Sequence, residues 1–129
     1  MRAGYSATPL PGKLGVTPSS RVLLDGGPTD LSLGAGVHRR PGPSPYDVIL
    51  LFAPRRRRLV QRWAPLSSRL TAAGRLWVCW PKRTSGLQTD LSENDVRDYG
   101  LANGLVDVKV CAIDDTWSGL AFVRRLADR

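Results

Sequence analysis

Three short stretches carry residue types suited to holding an anion. Asp25-Gly26-Gly27 exposes backbone amides with no side chains to screen them. Pro54-Arg55-Arg56 brings two guanidinium groups, and Pro81-Lys82-Arg83-Thr84-Ser85-Gly86 an ammonium, a guanidinium and two hydroxyls. Preorganised amides and charge-assisted donors are the strong partners of phosphate and carboxylate groups. Each stretch follows an apolar run that reads as a strand, and open α/β sheets bind ligands beyond the carboxyl ends of their strands, where strand order reverses. The expectation is one basic mouth, with Gly26, Gly27, Arg55, Arg56, Lys82, Arg83 and Ser85 as its ligand- or anion-binding residues. The plain alternative makes Arg55 to Arg58 the solvated first turn of a helix and Lys82-Arg83 a surface loop. Four arginines at a helix N-terminus oppose the helix dipole, which points to a use outside stability. If the mouth does chemistry, Asp25 and Lys82 are its titratable groups.

Other catalytic constellations are sparse. His38 is the only histidine and sits in a Gly/Pro-rich stretch, where a solvated imidazole is the ordinary reading, and Ser85 has no histidine near it in the chain. Asp90, Glu93, Asn94 and Asp95 cluster in one segment that reads as metal or acid-base ligands, or as the capped start of a helix. Cys79 and Cys111 lie 32 residues apart in apolar runs with no Cys-x-x-Cys, so they read as buried free thiols, and no structural metal is expected. Trp63 and Trp77 read as core. Trp80 and Trp117 read as partly exposed, without the interleaved bases of a stacking platform.

The net charge of +8 comes from 16 Arg and 3 Lys against 11 acids. Guanidinium forks match phosphates, so nucleic acid is one partner class, with Arg55–Arg58 as the contact and steep salt dependence as its mark. GC-rich codon usage yields the same excess in a chain with a single Glu and abundant Ala, Gly and Pro, and charge of this kind bears on association rather than on fold. At 129 residues, 42% hydrophobic and 23% charged, the chain has the size of one domain and excludes a two-domain enzyme, a disordered chain or a coiled coil. The longest unbroken apolar run, Val48 to Ala53, is far below the roughly 20 residues of a membrane span. No apolar stretch follows Met1-Arg2-Ala3-Gly4-Tyr5, so the expected compartment is cytoplasmic.

Residues 1–20 read as an N-terminal arm with a short helix, capped by Thr8, with Pro9 at its first position and Gly15 at its end. Residues 21–129 read as a single domain. Arg21 to Asp25 is a first strand, and residues 29–45 are mostly loop with a strand near Val37-His38. Tyr46 to Ala53, apolar without alternation after Asp47, belongs in the middle of a sheet covered on both faces. Leu59, Trp63, Leu66 and Leu70 share a helical stripe, with Pro65 expected to kink or split it and Gly74 to stop it. Arg75 to Trp80 is the next strand, so a right-handed parallel crossover is expected. Ser92 and Asp95 form a capping box for a helix running to about Ala102, with Gly104 ending it. Leu105 to Ile113 alternates, Val106, Val108 and Val110 to one side and Asp107 and Lys109 to the other, as an edge strand does. A turn at residues 114–119 then returns Leu120 to Arg125 antiparallel.

This order, a parallel α/β half followed by an antiparallel hairpin, resembles the Rossmann-like fold of S-adenosylmethionine-dependent methyltransferases, with helices on both faces. Residues 14–26, with Arg21-Val22-Leu23-Leu24-Asp25-Gly26 at their end, resemble the approach to that family's first strand. Residues 66–78 resemble its helix, glycine turn and fifth strand. The whole chain, with Gly4-Tyr5-Ser6, Trp80-Pro81-Lys82 and Asp107-Val108-Lys109-Val110-Cys111, resembles a short bacterial family of unknown function. The first half is shortened: 20 residues separate the strands ending at Asp25 and starting at Tyr46, too few for the usual crossovers of about 10–12 residues each. Adjacent glycines and Pro28 replace Gly-x-Gly, Arg39-Arg40 replaces the ribose-binding acid, and no Asn-Pro-Pro or Asp-Pro-Pro follows Phe52. The departures imply no cofactor, S-adenosylmethionine included. The expected function is a non-catalytic binding or regulatory module for an anionic small molecule or a protein partner. The alternatives are a divergent methyltransferase-like enzyme and a nucleic-acid-binding protein, and strand edges left by the shortened sheet make a homodimer plausible.

Overall fold

The computed structural model describes residues 9–34 and 36–129. Its six strands are β1 (Val22–Asp25), β2 (Val37–His38), β3 (Tyr46–Phe52), β4 (Leu70–Pro81), β5 (Leu105–Ala112) and β6 (Trp117–Arg124). Its α-helices are α1 (Leu10–Leu14), α2 (Arg56–Ser67) and α3 (Glu93–Ala102). One sheet holds all six strands in the order β2-β1-β3-β4-β6-β5. The first four are parallel, and β6 runs antiparallel to both its neighbours.

β3 sits at the centre because Val48 to Phe52 are apolar on both sides, and all five are buried. On one face Leu23, Ile49, Leu51, Leu76, Val78, Leu120 and Phe122 meet Leu59, Trp63 and Leu66 of α2 and Val96 of α3. The other face, with Val22, Leu24, Leu50, Phe52, Trp77 and Cys79, is closed by Leu14 and Val16 of the N-terminal arm and by Leu33 from the loop after β1. Short segments cover it where full crossover helices have no chain to form them. The Trp77 indole nitrogen donates to the Leu14 carbonyl at 3.0 Å, tying α1 to the sheet.

Several boundaries differ from the sequence expectation. Pro9, not Thr8, takes the N-cap position of α1, and Thr8 lies outside the described residues; Gly15 ends the helix in the left-handed region as expected. Pro65 is accommodated inside the last turn of α2, and the helix stops at Ser67. Leu70, expected on its stripe, is instead the first residue of β4, because the Arg69 carbonyl accepts from the Tyr46 amide at 2.7 Å and starts the sheet pairing there. Gly74 is a strand residue rather than a helix stop. A Cβ on it would stand 3.0 Å from the Tyr46 carbonyl oxygen, beside the irregularity where pairing jumps from Tyr46↔Leu70 to Val48↔Arg75. In β5 a bulge between Asp107 and Lys109 breaks the alternation, and it leaves Val108 and Val110 about half exposed. A bulge and a lysine are devices that blunt an open sheet edge. Trp80 is buried rather than partly exposed, and β6 begins at Trp117, so the hairpin turn is shorter than expected.

Burial pushes the Cys79 thiol well above the usual thiol range, with Cys111 and Asp114 adding to it. Folding therefore favours the protonated thiol. That contribution is complete below the unfolded-state pKa and is lost as pH rises above it, from about pH 8.5 upward. Melting curves from pH 7 to 11 are expected to fall at the alkaline end, and Cys79→Ala to flatten that fall; an unchanged slope in the variant would refute the assignment.

Candidate functional site

The carboxyl ends of β1, β3 and β4 lie side by side along one rim of the parallel sheet, and the sequence-expected site residues follow them. At the end of β1 the Asp25 carboxylate accepts from Arg58 and Arg62 of α2, both at 3.0 Å, with its side chain 16% exposed. Gly26 and Gly27 both have φ of +82°. A Cβ on Gly27 would fall 2.4 Å from the Phe52 ring. The glycines thus let the turn fold down onto β3, and the acid is joined to two arginines of the following helix. Arg39, at the end of β2, donates to the Pro28 carbonyl at 2.9 Å and secures the same turn.

The four arginines separate into different environments. Arg55 donates to the Gln88 side chain at 3.2 Å, the Arg56 guanidinium lies 5.5 Å from the centre of the Tyr99 ring, Arg57 is exposed, and Arg58 donates to the Phe52 carbonyl as well as to Asp25. No side chain of α2 caps its own start. That role falls to Asp90, whose carboxylate accepts from the Arg56 amide at 2.7 Å from 34 residues away. Sequence reading placed Asp90 with the α3 cap. Ser92 and Asp95 do form the expected capping box there, each side chain bonded to the other's backbone amide. Only contact across the fold reveals the role of Asp90.

Beyond the end of β4 an open cleft of about 690 Å³ is lined by Trp80, Pro81, Lys82, Arg83 and Thr84, by Leu91 to Asn94 at the start of α3, and by Ser118 of β6. Lys82 is half-buried and Arg83 exposed. Among the described residues, neither cation has a side-chain partner in an ion pair or hydrogen bond. Ser85 lies just outside. Its hydroxyl donates to the Lys82 carbonyl at 2.7 Å and accepts from the Leu87 amide at 3.1 Å, closing the turn that carries both cations. The structure thus brings Lys82 and Arg83 together in a cleft, sets Arg55 and Arg56 at the adjoining start of α2, and seats Asp25, Gly26 and Gly27 in a corner of their own. Sequence reading missed Ser118 and Asn94 as cleft residues, because neither follows a parallel strand. His38 is not a free surface imidazole: its Nδ1 lies 2.7 Å from the hydroxyl of buried Tyr46, which also accepts from the Gly42 amide.

No family model and no curated protein matches the chain. Among solved structures, the complex of DhpI with SAH is similar with a TM-score of 0.53, at 11% sequence identity, over 82% of this chain and 67% of that one. The fold is Rossmann-like, a mainly parallel sheet closed by an antiparallel hairpin. The expectation of no cofactor, S-adenosylmethionine included, is corrected by this match, in which a chain of similar fold is solved in complex with SAH. Among the described residues, no helix is long and apolar enough to cross a membrane.

Proposed function

We propose that this chain is a binding or regulatory module that takes an anion-bearing small molecule in the cleft at the carboxyl end of β4, with Lys82 and Arg83 as its cations. The observation that carries the reading is the contrast between cations along one rim. Arg39, Arg55, Arg58 and Arg62 donate to groups within the chain, while half-buried Lys82 faces a cleft large enough for a metabolite with its ammonium unengaged. Pockets of about 300–1,000 Å³ are the usual size for small ligands. An anion there gains charge-assisted bonds, strengthened by partial removal from water.

The test is calorimetric titration with pyrophosphate and with phosphorylated metabolites. Lys82→Met is expected to weaken the binding at least tenfold while leaving the melting temperature of the unliganded protein unchanged. Equal affinity in the variant would refute the reading.

A second reading, an S-adenosyl ligand at the ends of β1 and β3, is supported by the strand order and by the SAH-bound structure of similar fold. In such sheets the ligand lies where strand order reverses, here between β1 and β3. It would meet the side-chain-free turn at Gly26-Gly27, and its amino group would share Asp25 with Arg58 and Arg62. Titration of wild type, Asp25→Asn and Lys82→Met with S-adenosylhomocysteine separates the two: on this reading Asp25→Asn weakens binding, while Lys82→Met leaves this corner intact and binds as wild type does.

A further inference from the structure

The cleft has one anomaly as an anion site: Glu93, a carboxylate, lines it beside Lys82 and Arg83. Arg97, one turn along α3 and not among the lining residues, holds that carboxylate. Its Nη2 donates to Glu93 Oε2 at 2.8 Å, its Nη1 to the Asn94 side-chain oxygen at 3.2 Å, and its Nε to Asp107 Oδ2 on β5 at 3.0 Å. The guanidinium is about a quarter exposed. Two consecutive residues of the cleft are therefore tied to one cation behind them, which is itself anchored to the sheet.

Resting on the binding reading above, we propose that Arg97 is a positioning residue that sets the charge of the cleft. It neutralises Glu93 and takes up the Asn94 oxygen, so that this side of the cleft presents the Asn94 amide donor instead of a free negative charge. Without Arg97, a carboxylate with its side chain 46% exposed stands unpaired beside the bound anion. Like charges a few ångströms apart near a protein surface repel appreciably, whereas each exposed ion pair contributes little to stability by itself. Arg97 therefore matters more for affinity than for folding.

The readout is the affinity of the full chain for pyrophosphate, with melting temperature followed in parallel. Arg97→Met is expected to weaken binding about fivefold. The double variant Arg97→Met/Glu93→Gln, which breaks the same tether but removes the charge, is expected to recover most of that loss. Asp107→Asn, which loosens α3 from β5 while leaving Glu93 paired, is expected to bind as wild type does. If Arg97→Met is not weakened, or if Glu93→Gln fails to restore it, Arg97 is only a tether between helix and sheet and the proposal falls, while the binding reading stands as long as Lys82→Met weakens binding. If wild type itself does not bind pyrophosphate, the binding reading falls and this one with it.

Discussion

Replacing Gly100 by alanine lowers the melting temperature by roughly 10 °C, the equivalent of about 3 kcal/mol in a domain of this size. Gly100 is buried in the last turn of α3, and a Cβ placed on it would collide with the Phe122 ring. The ring cannot swing away freely. Phe122 is fully buried in β6, and the Trp63 ring packs edge-on to it with centroids 5.4 Å apart. Alanine is the better helix former by about 1 kcal/mol, so an isolated helix would gain from the substitution and only the helix-sheet contact turns the sign. Overpacking of a rigid core commonly costs about 1–3 kcal/mol, and a contact this short lies at the upper end. Adding Phe122→Leu, which removes the colliding ring atoms, is expected to make the double variant more stable than Gly100→Ala alone. The coupling between the two sites is read from a four-variant cycle of denaturant unfolding. A wild-type melting temperature for Gly100→Ala would show that α3 lies farther from the sheet than this structure has it.

Trp77→Ala is expected to cost about 4 kcal/mol, within the range for deleting a large buried aromatic side chain. The indole is fully buried on the face that lacks long helices, and its Nε1 bond to Leu14 joins the Lys109 bond to the Lys13 carbonyl and the burial of Leu14 and Val16 in holding the arm down. The loss should also be local in character. Trp77→Phe keeps an aromatic ring but removes the donor and part of the ring volume, so it is expected to cost about 1–2 kcal/mol while amide exchange accelerates in α1 before it does in β3. If urea unfolding gives Trp77→Phe and wild type the same stability and the same protection of α1, the indole bond contributes nothing to holding the arm.

Much of this architecture was legible because it depends on neighbours close in sequence. The unalternating apolar run of β3 required burial on both faces, and Ser92 with Asp95 three residues on required the start of α3 where it occurs. The shortness of the stretch between Asp25 and Tyr46 left room for only β2, a two-residue strand. Gly74 was misread for a physical reason. Glycine after an amphipathic stripe is an ordinary helix stop, and only the approach of the Tyr46 carbonyl makes it a strand position that has no space for a side chain. The alternation of β5 failed in the same way, because a bulge is a property of two paired strands and leaves no mark on one of them.

By itself the sequence determined the α/β class, the parallel half followed by an antiparallel hairpin, and the basic character of the strand ends, since these follow from periodicity, chain length and charge. Tertiary structure alone decided which charged groups are paired across the fold: Arg58 and Arg62 with Asp25, Asp90 with the amide at the start of α2, and Arg97 with Asp107. An ion pair or a cap from 34 or 37 residues away has no spacing rule to announce it. Its geometry exists only once the sheet has brought the ends of β1, β3 and β4 together.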